Sequence, residues 1–335
     1  MKRLLRLFPR IGVCALLGAL PAWAREPAPT PTAVPSPEPA ASAPAPETPP
    51  VETPTPAPPP IPTPKPRPPD PVLIGAGDIA DCGRLEGARQ TAEIIEKTDG
   101  TVFTLGDNAY ESGTPAQFAE CYGPTWGRFR DRTRPAVGNH DYRSLAAKPY
   151  FDYFGAAAGD PKKGYYSYDL GTWHVVVINS NCGEIGGCRP GSPQEQWLRK
   201  DLADHKKPCT IAMWHHPRFS SAIHGDAPGM RHIFRALYDA GADVVLSGHD
   251  HTYERFAPMN PLGQADPKRG IREFVVGTGG RELYTWSLVH STSEVRNNRT
   301  FGVLKLTLHP DSYDWEFLGV AGSTFTDQGS ETCHE

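Results

Sequence analysis

The sequence lacks several features that would assign it to common protein classes. The N-terminal apolar run, residues 11–22, is too short and too interrupted by proline to form a membrane-spanning helix. A formal net charge of −4 leaves no general basic footprint for nucleic acid or anionic membranes. The C-x-x-C spacing of zinc sites and the G-x-S-x-G turn of serine hydrolases do not occur. We therefore expect no transmembrane segment, no nucleic-acid interface, no zinc finger and no serine nucleophile.

The first 71 residues divide into two segments that precede a globular region. Residues 1–24 combine a basic start, a short apolar core and a terminal A-W-A cleavage pattern, which predicts a secretory signal peptide. Residues 25–71 contain 21 prolines, so we expect a disordered, polyproline-II-rich linker that is either a tether or a spacer without a specific partner. The globular domain is predicted over residues 72–335, in a secreted or periplasmic protein.

Six cysteines remain after the predicted signal peptide. An even count in a secreted chain indicates up to three disulfides in an oxidising compartment. Cys182 and Cys188 flank a short glycine-rich stretch and could close a local loop. The sequence leaves open the pairing of the other four, which are Cys82, Cys121, Cys209 and Cys333.

Polar side chains that can bind metal ions follow five apolar runs of the chain. Each run has the composition of a buried strand, and helical patterns lie between them, which predicts an α/β fold with ligands at the carboxyl ends of strands. A single strand end of this kind is explained by an ordinary turn, but five of them in one chain favour a metal site. The five groups are Asp78, Asp107, Asn139-His140-Asp141, His215-His216 and His249-Asp250-His251.

The residue types in these groups indicate a particular chemistry. Asp, Asn and His together suit two hard or borderline cations bridged by one carboxylate. Two such metals can share a hydroxide and bind both the attacking and the leaving oxygen in a displacement at phosphorus. No serine or cysteine nucleophile is then required.

The ordered motifs resemble those of the calcineurin-like metallophosphoesterases. They are GD at 77–78, GDNAY at 106–110, GNHD at 138–141, WHHP at 214–217 with a histidine nine residues after His215, and GHDH at 248–251. The GDxxY form is similar to the purple acid phosphatase branch. Ala80 stands where many relatives carry a metal-binding histidine, and Tyr110 is the available substitute. The resemblance implies a four-layer α/β/β/α sandwich.

The resemblance also implies two metal ions that share Asp107. One is Fe(III), which a tyrosinate favours, and the other is divalent iron, zinc or manganese. The Fe(III) ligands would be Asp78, Asp107, Tyr110 and His251, and the divalent-metal ligands would be Asp107, Asn139, His215 and His249. His216 is the less favoured alternative to His215, and Asp250 is expected to point the other way by alternation.

Two histidines are implied on the substrate side of the site. His140 would contact phosphate or donate a proton, with Asp141 able to orient it, and His224 matches the second substrate-side histidine of the family. Either could protonate the leaving alkoxide, with a slight preference for His224. Arg255 and Arg281 could meet phosphate, but a surface or structural role is an equal alternative for both.

The resulting hypothesis is a secreted acid phosphatase that hydrolyses phosphomonoesters through a metal-bridging hydroxide at an Fe(III)–divalent metal site. Its substrates would be small phosphorylated molecules, and its pH optimum would be acidic because Fe(III) lowers the pKa of bound water. A phosphodiesterase or nucleotide-directed hydrolase is the alternative at the same site. A non-catalytic binding module is the alternative of another class. It predicts that at least one ligand position lacks a metal-binding side chain, whereas all seven positions carry one.

Overall fold

The structure, a computed structural model, describes residues 69–334. The predicted signal peptide, and the predicted linker except for residues 69–71, therefore lie outside the described residues. In the described range no helix has both the length and the apolar character that crossing a membrane requires.

Strands and helices follow one another through the domain, and strands predominate towards its end. The strands are β1 (Val72–Ala76), β2 (Ala80–Asp81), β3 (Thr101–Leu105), β4 (Ala109–Tyr110), β5 (Thr133–Ala136), β6 (Tyr166–Leu170), β7 (Trp173–Val177), β8 (Cys209–Met213), β9 (Val244–Ser247), β10 (Tyr253–Phe256), β11 (Arg272–Val276), β12 (Ser293–Asn297), β13 (Gly302–Leu308), β14 (Ser312–Gly319) and β15 (Gln328–Thr332). The helices are α1 (Glu86–Glu96), α2 (Pro115–Gln117), α3 (Asn139–Tyr142), α4 (Lys148–Phe154), α5 (Pro193–Asp204) and α6 (Arg231–Asp239). A π-helical turn covers Phe118–Tyr122, and 3-10 turns cover Trp126–Arg132, Leu145–Ala147, Gly155–Ala158 and Pro228–Met230.

Two sheets position the site. The first has the order β15-β14-β13-β1-β3-β5, and the second has the order β12-β10-β11-β9-β8-β7-β6. Strands β1, β3 and β5 are parallel neighbours, and so are β7, β8, β9 and β11. Neighbouring parallel strands end at the same edge of a sheet, so the loops that follow each group lie together.

Alternate residues of the second sheet divide between two hydrophobic cores. Val244 and Leu246 of β9 belong to the core that also contains Phe103 and Leu304 of the first sheet. Val245 belongs to the core built with helices α5 and α6. Helix α1 contacts β13 of the first sheet. The layers are therefore helix, sheet, sheet and helix, which confirms the predicted four-layer α/β/β/α sandwich.

The start of helix α5 differs in one detail from the sequence pattern. Ser192, Pro193 and Glu195 together predict a capping box. Helix α5 does begin at Pro193, but the Ser192 hydroxyl makes no capping hydrogen bond. Glu195 instead accepts a hydrogen bond from the Gly191 amide at 3.0 Å and pairs with Arg199. The helix thus starts where predicted, through a different set of contacts.

Three disulfides join parts of the described chain, and the predicted local Cys182–Cys188 bridge is one of them. Cys82–Cys121 spans 39 residues and closes a loop that contains β3 and β4. Cys209–Cys333 spans 124 residues and links the start of β8 to the segment after β15. The last two bridges connect parts of the chain that the sequence gives no reason to pair.

Candidate metal centre

The seven predicted ligands meet where the strand ends of the two sheets face each other. The first sheet presents three of them after β1, β3 and β5, Tyr110 lies in β4, and the second sheet presents three after β8 and β9. The His249 amide donates a hydrogen bond to Asp78 Oδ2 at 2.8 Å, which joins the two sheets at this point. The predicted ligands are Asp78, Asp107, Tyr110, Asn139, His215, His249 and His251.

One group of donor atoms surrounds the Tyr110 hydroxyl. Its Oη lies 2.8 Å from Asp78 Oδ1, 3.1 Å from Asp107 Oδ2 and 3.2 Å from His251 Nε2. On the other side of the imidazole, His251 Nδ1 lies 2.7 Å from the Glu282 carbonyl oxygen. A carbonyl only accepts, so Nδ1 carries the hydrogen, and Nε2 faces Tyr110 Oη and, at 3.3 Å, Asp78 Oδ1.

A second group surrounds His215 Nε2. This nitrogen lies 2.9 Å from Asn139 Oδ1, 3.3 Å from Asp107 Oδ2 and 3.2 Å from His249 Nδ1. His215 Nδ1 lies 2.7 Å from the Leu105 carbonyl oxygen, which again fixes the direction of the ring. Asp107 Oδ2 belongs to both groups, as a bridging carboxylate oxygen must.

The electrostatics of the buried groups fit positive charge at this place. Burial opposes charge on His215, but Asp107 outweighs it and raises the pKa of His215 to about 9. Burial and His215 together lower the pKa of His249 far below its usual range, so this imidazole is neutral. Burial, Asp107 and Asp78 raise the pKa of Tyr110 well above its ordinary value. The carboxylates thus attract a cation, and Tyr110 needs one nearby to ionise.

Three ligand residues have a left-handed backbone. The φ angles are 62° at Asp78, 50° at Asp107 and 69° at His249. This conformation costs a non-glycine residue roughly 1–2 kcal/mol, and such residues concentrate at functional sites. At Gly138 of the GNHD motif, a Cβ atom would lie 2.1 Å from Asp107 Oδ1. The glycine is therefore required by the close approach of the bridging carboxylate.

His215 is better placed than His216 to be a ligand. A ring nitrogen of His216 does lie within 4.8 Å of nitrogens of His215 and His249. However, His216 Nδ1 faces Ser180 Oγ at 2.8 Å. His215 instead points at the carboxylate and amide oxygens described above, so the geometry favours the preferred alternative of the sequence analysis.

His140 lies over the shared carboxylate. Its amide donates to Asp107 Oδ1 at 2.7 Å, and its Nδ1 lies 2.8 Å from the Glu111 carbonyl oxygen. Asp141 is turned elsewhere, because its Oδ2 accepts hydrogen bonds from the Gly138 amide at 2.9 Å and from Asn108 Nδ2 at 3.0 Å. The structure therefore corrects the predicted role of Asp141: the Glu111 carbonyl orients the imidazole, and Asp141 holds the turn.

A cleft of about 260 Å³ opens onto both donor groups. His224 lines it, with its ring stacked on His249 at a centroid distance of 4.5 Å. Tyr284 also lines it and stacks on His251 at 3.8 Å. The two histidines predicted on the substrate side thus reach the same cleft from different elements, His140 from α3 and His224 from the loop that follows β8.

Tyr284, Arg143 and Glu111 line the cleft without having been predicted from the sequence, and Arg281, whose role the sequence left open, lines it as well. Arg281 and Tyr284 follow β11, the parallel neighbour of β9, so the strand-end pattern that indicates the ligands applies to them too. Arg255 has a different place. It pairs with Asp327 at 2.8 Å and lies over the Trp315 ring, which supports the structural alternative for this residue.

The chain is similar in sequence to known proteins. The family model described as calcineurin-like phosphoesterase matches residues 64–253. Purple acid phosphatase 21 of Arabidopsis thaliana is 32% identical over 225 residues, 60% of this chain and 48% of that protein. Fe(3+)-Zn(2+) purple acid phosphatase 12 of the same plant is 27% identical over 206 residues, 53% of this chain and 42% of that protein. The chain spans about half the length of the curated relatives it matches.

Solved structures agree on the fold. The purple acid phosphatase PPD1 of yellow lupin (Lupinus luteus) seeds aligns with a TM-score of 0.64 at 20% identity, over 79% of this chain and 54% of that chain. GAP50, described as the anchor in the inner membrane complex of Plasmodium, aligns with a TM-score of 0.60 at 12% identity, over 80% of this chain and 90% of that chain. At these identities the likeness is one of fold alone.

Proposed function

The chain belongs to the calcineurin-like phosphoesterase family, and from this premise we propose that it is a metal-dependent phosphomonoesterase of the acid phosphatase type. The predicted family is confirmed by the family model, and curated relatives that are purple acid phosphatases support the predicted branch. One observation carries the proposal: Asp107 Oδ2 is shared by two groups of donor atoms, around Tyr110 and around His215.

Each donor group fits one metal ion. Asp78, Tyr110 and His251 with Asp107 form the set proposed for Fe(III), because a phenolate is a hard ligand for a trivalent ion. Asn139, His215 and His249 with Asp107 form the set proposed for divalent iron, zinc or manganese. When bound, the two ions would supply a water-derived nucleophile and neutralise charge on the phosphoryl oxygens.

The proposed roles of the chain's own residues follow from their positions. His140, fixed by Asp107 and the Glu111 carbonyl, would donate a hydrogen bond to a phosphoryl oxygen. His224, exposed at the cleft and stacked on His249, would donate a proton to the leaving alkoxide oxygen. His140 would thus orient the phosphate, and His224 would protonate the leaving group.

We also propose that the protein acts outside the cytosol. The three disulfides of the described residues support an oxidising compartment, and the predicted signal peptide gives a route to it. The proline-rich residues 25–71 are proposed as an extended spacer that can tether the catalytic domain. The proposed setting is therefore secreted or periplasmic.

The test compares p-nitrophenyl phosphate with bis-p-nitrophenyl phosphate over a range of pH. We expect faster turnover of the monoester, with an acidic optimum, and loss of at least a thousandfold in Asp107→Asn because both metal sites lose the shared oxygen. Asp131→Asn changes an exposed aspartate outside the cleft and should retain parental activity. Faster turnover of the diester would support the phosphodiesterase alternative, and no turnover by metal-loaded protein would refute the proposal.

A further inference from the structure

The rim of the cleft carries three charged side chains in a row. Glu111 lies between two arginines, with Oε1 3.2 Å from Arg143 Nη1 and Oε2 3.1 Å from Arg281 Nη2. All three line the cleft. A carboxylate thus occupies the position between two guanidinium groups that a second anionic group of a substrate would otherwise take.

The rim arginines are engaged by carboxylates on other sides as well. Arg281 Nη1 lies 2.6 Å from Asp81 Oδ2, and Arg281 Nε pairs with Glu282. Three carboxylates, those of Asp81, Glu111 and Glu282, therefore face two guanidinium groups. The positive charge of the rim is fully compensated, with one negative charge in excess.

The size of the cleft brings the leaving group of a substrate close to this rim. The cleft has a volume of about 260 Å³ and is lined by atoms of both donor groups, by His140 and His224, and by the three charged side chains of the rim. A phosphoryl group bound at the donor atoms therefore shares this small space with Glu111, Arg143 and Arg281. The leaving group, protonated from His224, remains in the same cleft as these side chains.

We propose that Glu111 makes the cleft select phosphomonoesters by the charge of the leaving group, so that cationic and neutral leaving groups are favoured over anionic ones. This inference rests on the proposed phosphomonoesterase function and specifies its substrate class. Glu111 acts as a specificity-determining residue: it neutralises the rim arginines and repels a second negative charge. Substrates with an amine or hydroxyl on the leaving group fit the rim, and carboxylated or polyphosphorylated ones do not.

The size of the effect follows from Coulomb's law in a partly exposed site. Glu111 and Arg143 are about half exposed, so the effective dielectric constant is close to that of water. One unit charge at roughly 6–8 Å then changes binding by about 0.5–0.7 kcal/mol, which corresponds to about threefold. Going from a cationic to an anionic leaving group doubles the charge difference, so the expected total selectivity is about tenfold.

The experiment uses three small monoesters that differ mainly in charge: phosphoethanolamine, glycerol phosphate and phosphoglycerate. Phosphate release is measured with full-length metal-loaded protein at low ionic strength, at a pH where the phosphoglycerate carboxylate is ionised. The expected order of kcat/KM is phosphoethanolamine, then glycerol phosphate, then phosphoglycerate. Glu111→Gln should raise kcat/KM for phosphoglycerate about threefold, mainly through KM, and lower it for phosphoethanolamine by a similar factor.

Glu120→Gln is the matched control, since Glu120 is an exposed glutamate outside the lining of the cleft. It should leave the order of the three substrates unchanged. Hydrolysis of all three without a charge order, or an unchanged order in Glu111→Gln, overturns the inference and leaves the proposed function intact. Failure to hydrolyse p-nitrophenyl phosphate as well overturns the proposed function, and the inference with it.

Discussion

Tyr110 is the predicted ligand on which the proposed choice of metal depends. Its hydroxyl lies within 3.2 Å of Asp78, Asp107 and His251 donor atoms, in a place where burial and two carboxylates keep it protonated without a cation. A trivalent ion supplies more of the charge needed to ionise it than a divalent ion does. Tyr110, the last residue of the GDNAY motif, therefore favours iron on physical grounds, in addition to the resemblance.

We expect Tyr110→Phe to abolish a visible tyrosinate-to-iron absorption band and to reduce bound iron to less than half, because the trivalent ion loses its phenolate ligand. The measurement is metal analysis together with the visible spectrum of purified protein. Tyr284→Phe keeps the aromatic contact with His251 but changes a hydroxyl outside the donor group, so its band should persist. An active, iron-loaded parent protein without the band would contradict the assignment of iron to Tyr110.

Most of the predicted ligand positions could be found in the sequence because they follow buried strands, whereas Tyr110, which lies in β4, was indicated by the resemblance. Asp107 and His249 follow buried strands, and parallel strands bring their ends together whatever the rest of the chain does. The contacts of Asp141 and Glu111 follow no such rule. Which way Asp141 turns, and which carbonyl meets His140, depends on how the loop after β4 packs against α3, and this is a tertiary property.

At the scale of elements, the loop that carries His224 is held by buried acids of the second sheet. Glu273 of β11 accepts hydrogen bonds from the Arg218 and Phe219 amides at 2.9 and 3.2 Å. Asp250 accepts from Ser220 Oγ at 2.5 Å and from the His224 amide at 3.0 Å. Asp250 points away from the two predicted ligands beside it, as expected, although residues 249–251 form a turn after β9 and not an alternating strand. Through these contacts Asp250 sets the position of the proposed proton donor.

We expect Asp250→Ala to lower kcat for p-nitrophenyl phosphate about tenfold with little change in metal content, because the His224 amide and the Ser220 hydroxyl lose their acceptor. Asp250→Asn keeps one acceptor oxygen and should recover part of the activity. The separating measurement is a substrate series with leaving groups of decreasing pKa. Good leaving groups need no proton donor and should be affected least; an equal loss for all of them would contradict a role through His224.

Glu273 gives the domain a predicted dependence of stability on pH. Burial raises the pKa of Glu273 from 4.5 to about 8. Between these values the unfolded chain ionises while the folded state keeps the proton, so the contribution of Glu273 to stability is greatest below about pH 4.5 and falls as the pH rises towards 8. We expect Glu273→Gln to reduce this fall by a few kcal/mol, measured by denaturant unfolding at several pH values at one metal concentration.

Glu316→Gln is the control for Glu273, because Glu316 is a half-exposed glutamate of β14. Its pH dependence of unfolding should match that of the parent protein. A Glu273→Gln protein with the parental slope would show that Glu273 is ionised in the folded state.

The elements themselves were predictable in proportion to how regular their patterns are. The apolar run of β9 and the amphipathic pattern of α6 mark both elements in the sequence. Strand β12, with the sequence SEVRN, has one buried residue and exists because β10 pairs with it. Within residues 69–334, the two-residue strands β2 and β4 pair only with each other, next to the candidate metal centre. Pairing partners, rather than local preference, create such strands, and a single sequence does not show them.

For the whole molecule, the metal centre is a junction between the two sheets. Asp78, Asp107 and Asn139 come from the first sheet, and His215 and His249 come from the second, so bound ions would cross-link the layers of the sandwich. Without ions, the buried carboxylates of Asp78 and Asp107 face each other across the Tyr110 hydroxyl with little solvent to screen them. Metal binding should therefore stabilise the fold as well as supply the chemistry.

We expect removal of metal with a chelator to lower the thermal unfolding midpoint by about 10 °C. Ligand at a thousand times its dissociation constant contributes about 4 kcal/mol, and each kcal/mol shifts the midpoint of a domain of this size by about 2–4 °C. Calorimetry of loaded, chelated and reloaded protein measures the shift and its reversal. Asp107→Asn loses the shared oxygen, so its midpoint should respond to chelation by only a small part of this shift. Equal unfolding midpoints for loaded and chelated parent protein would contradict this prediction. They would mean that the strand-end side chains do not bind metal tightly enough to hold the two sheets together, and that the hydrophobic core alone joins them.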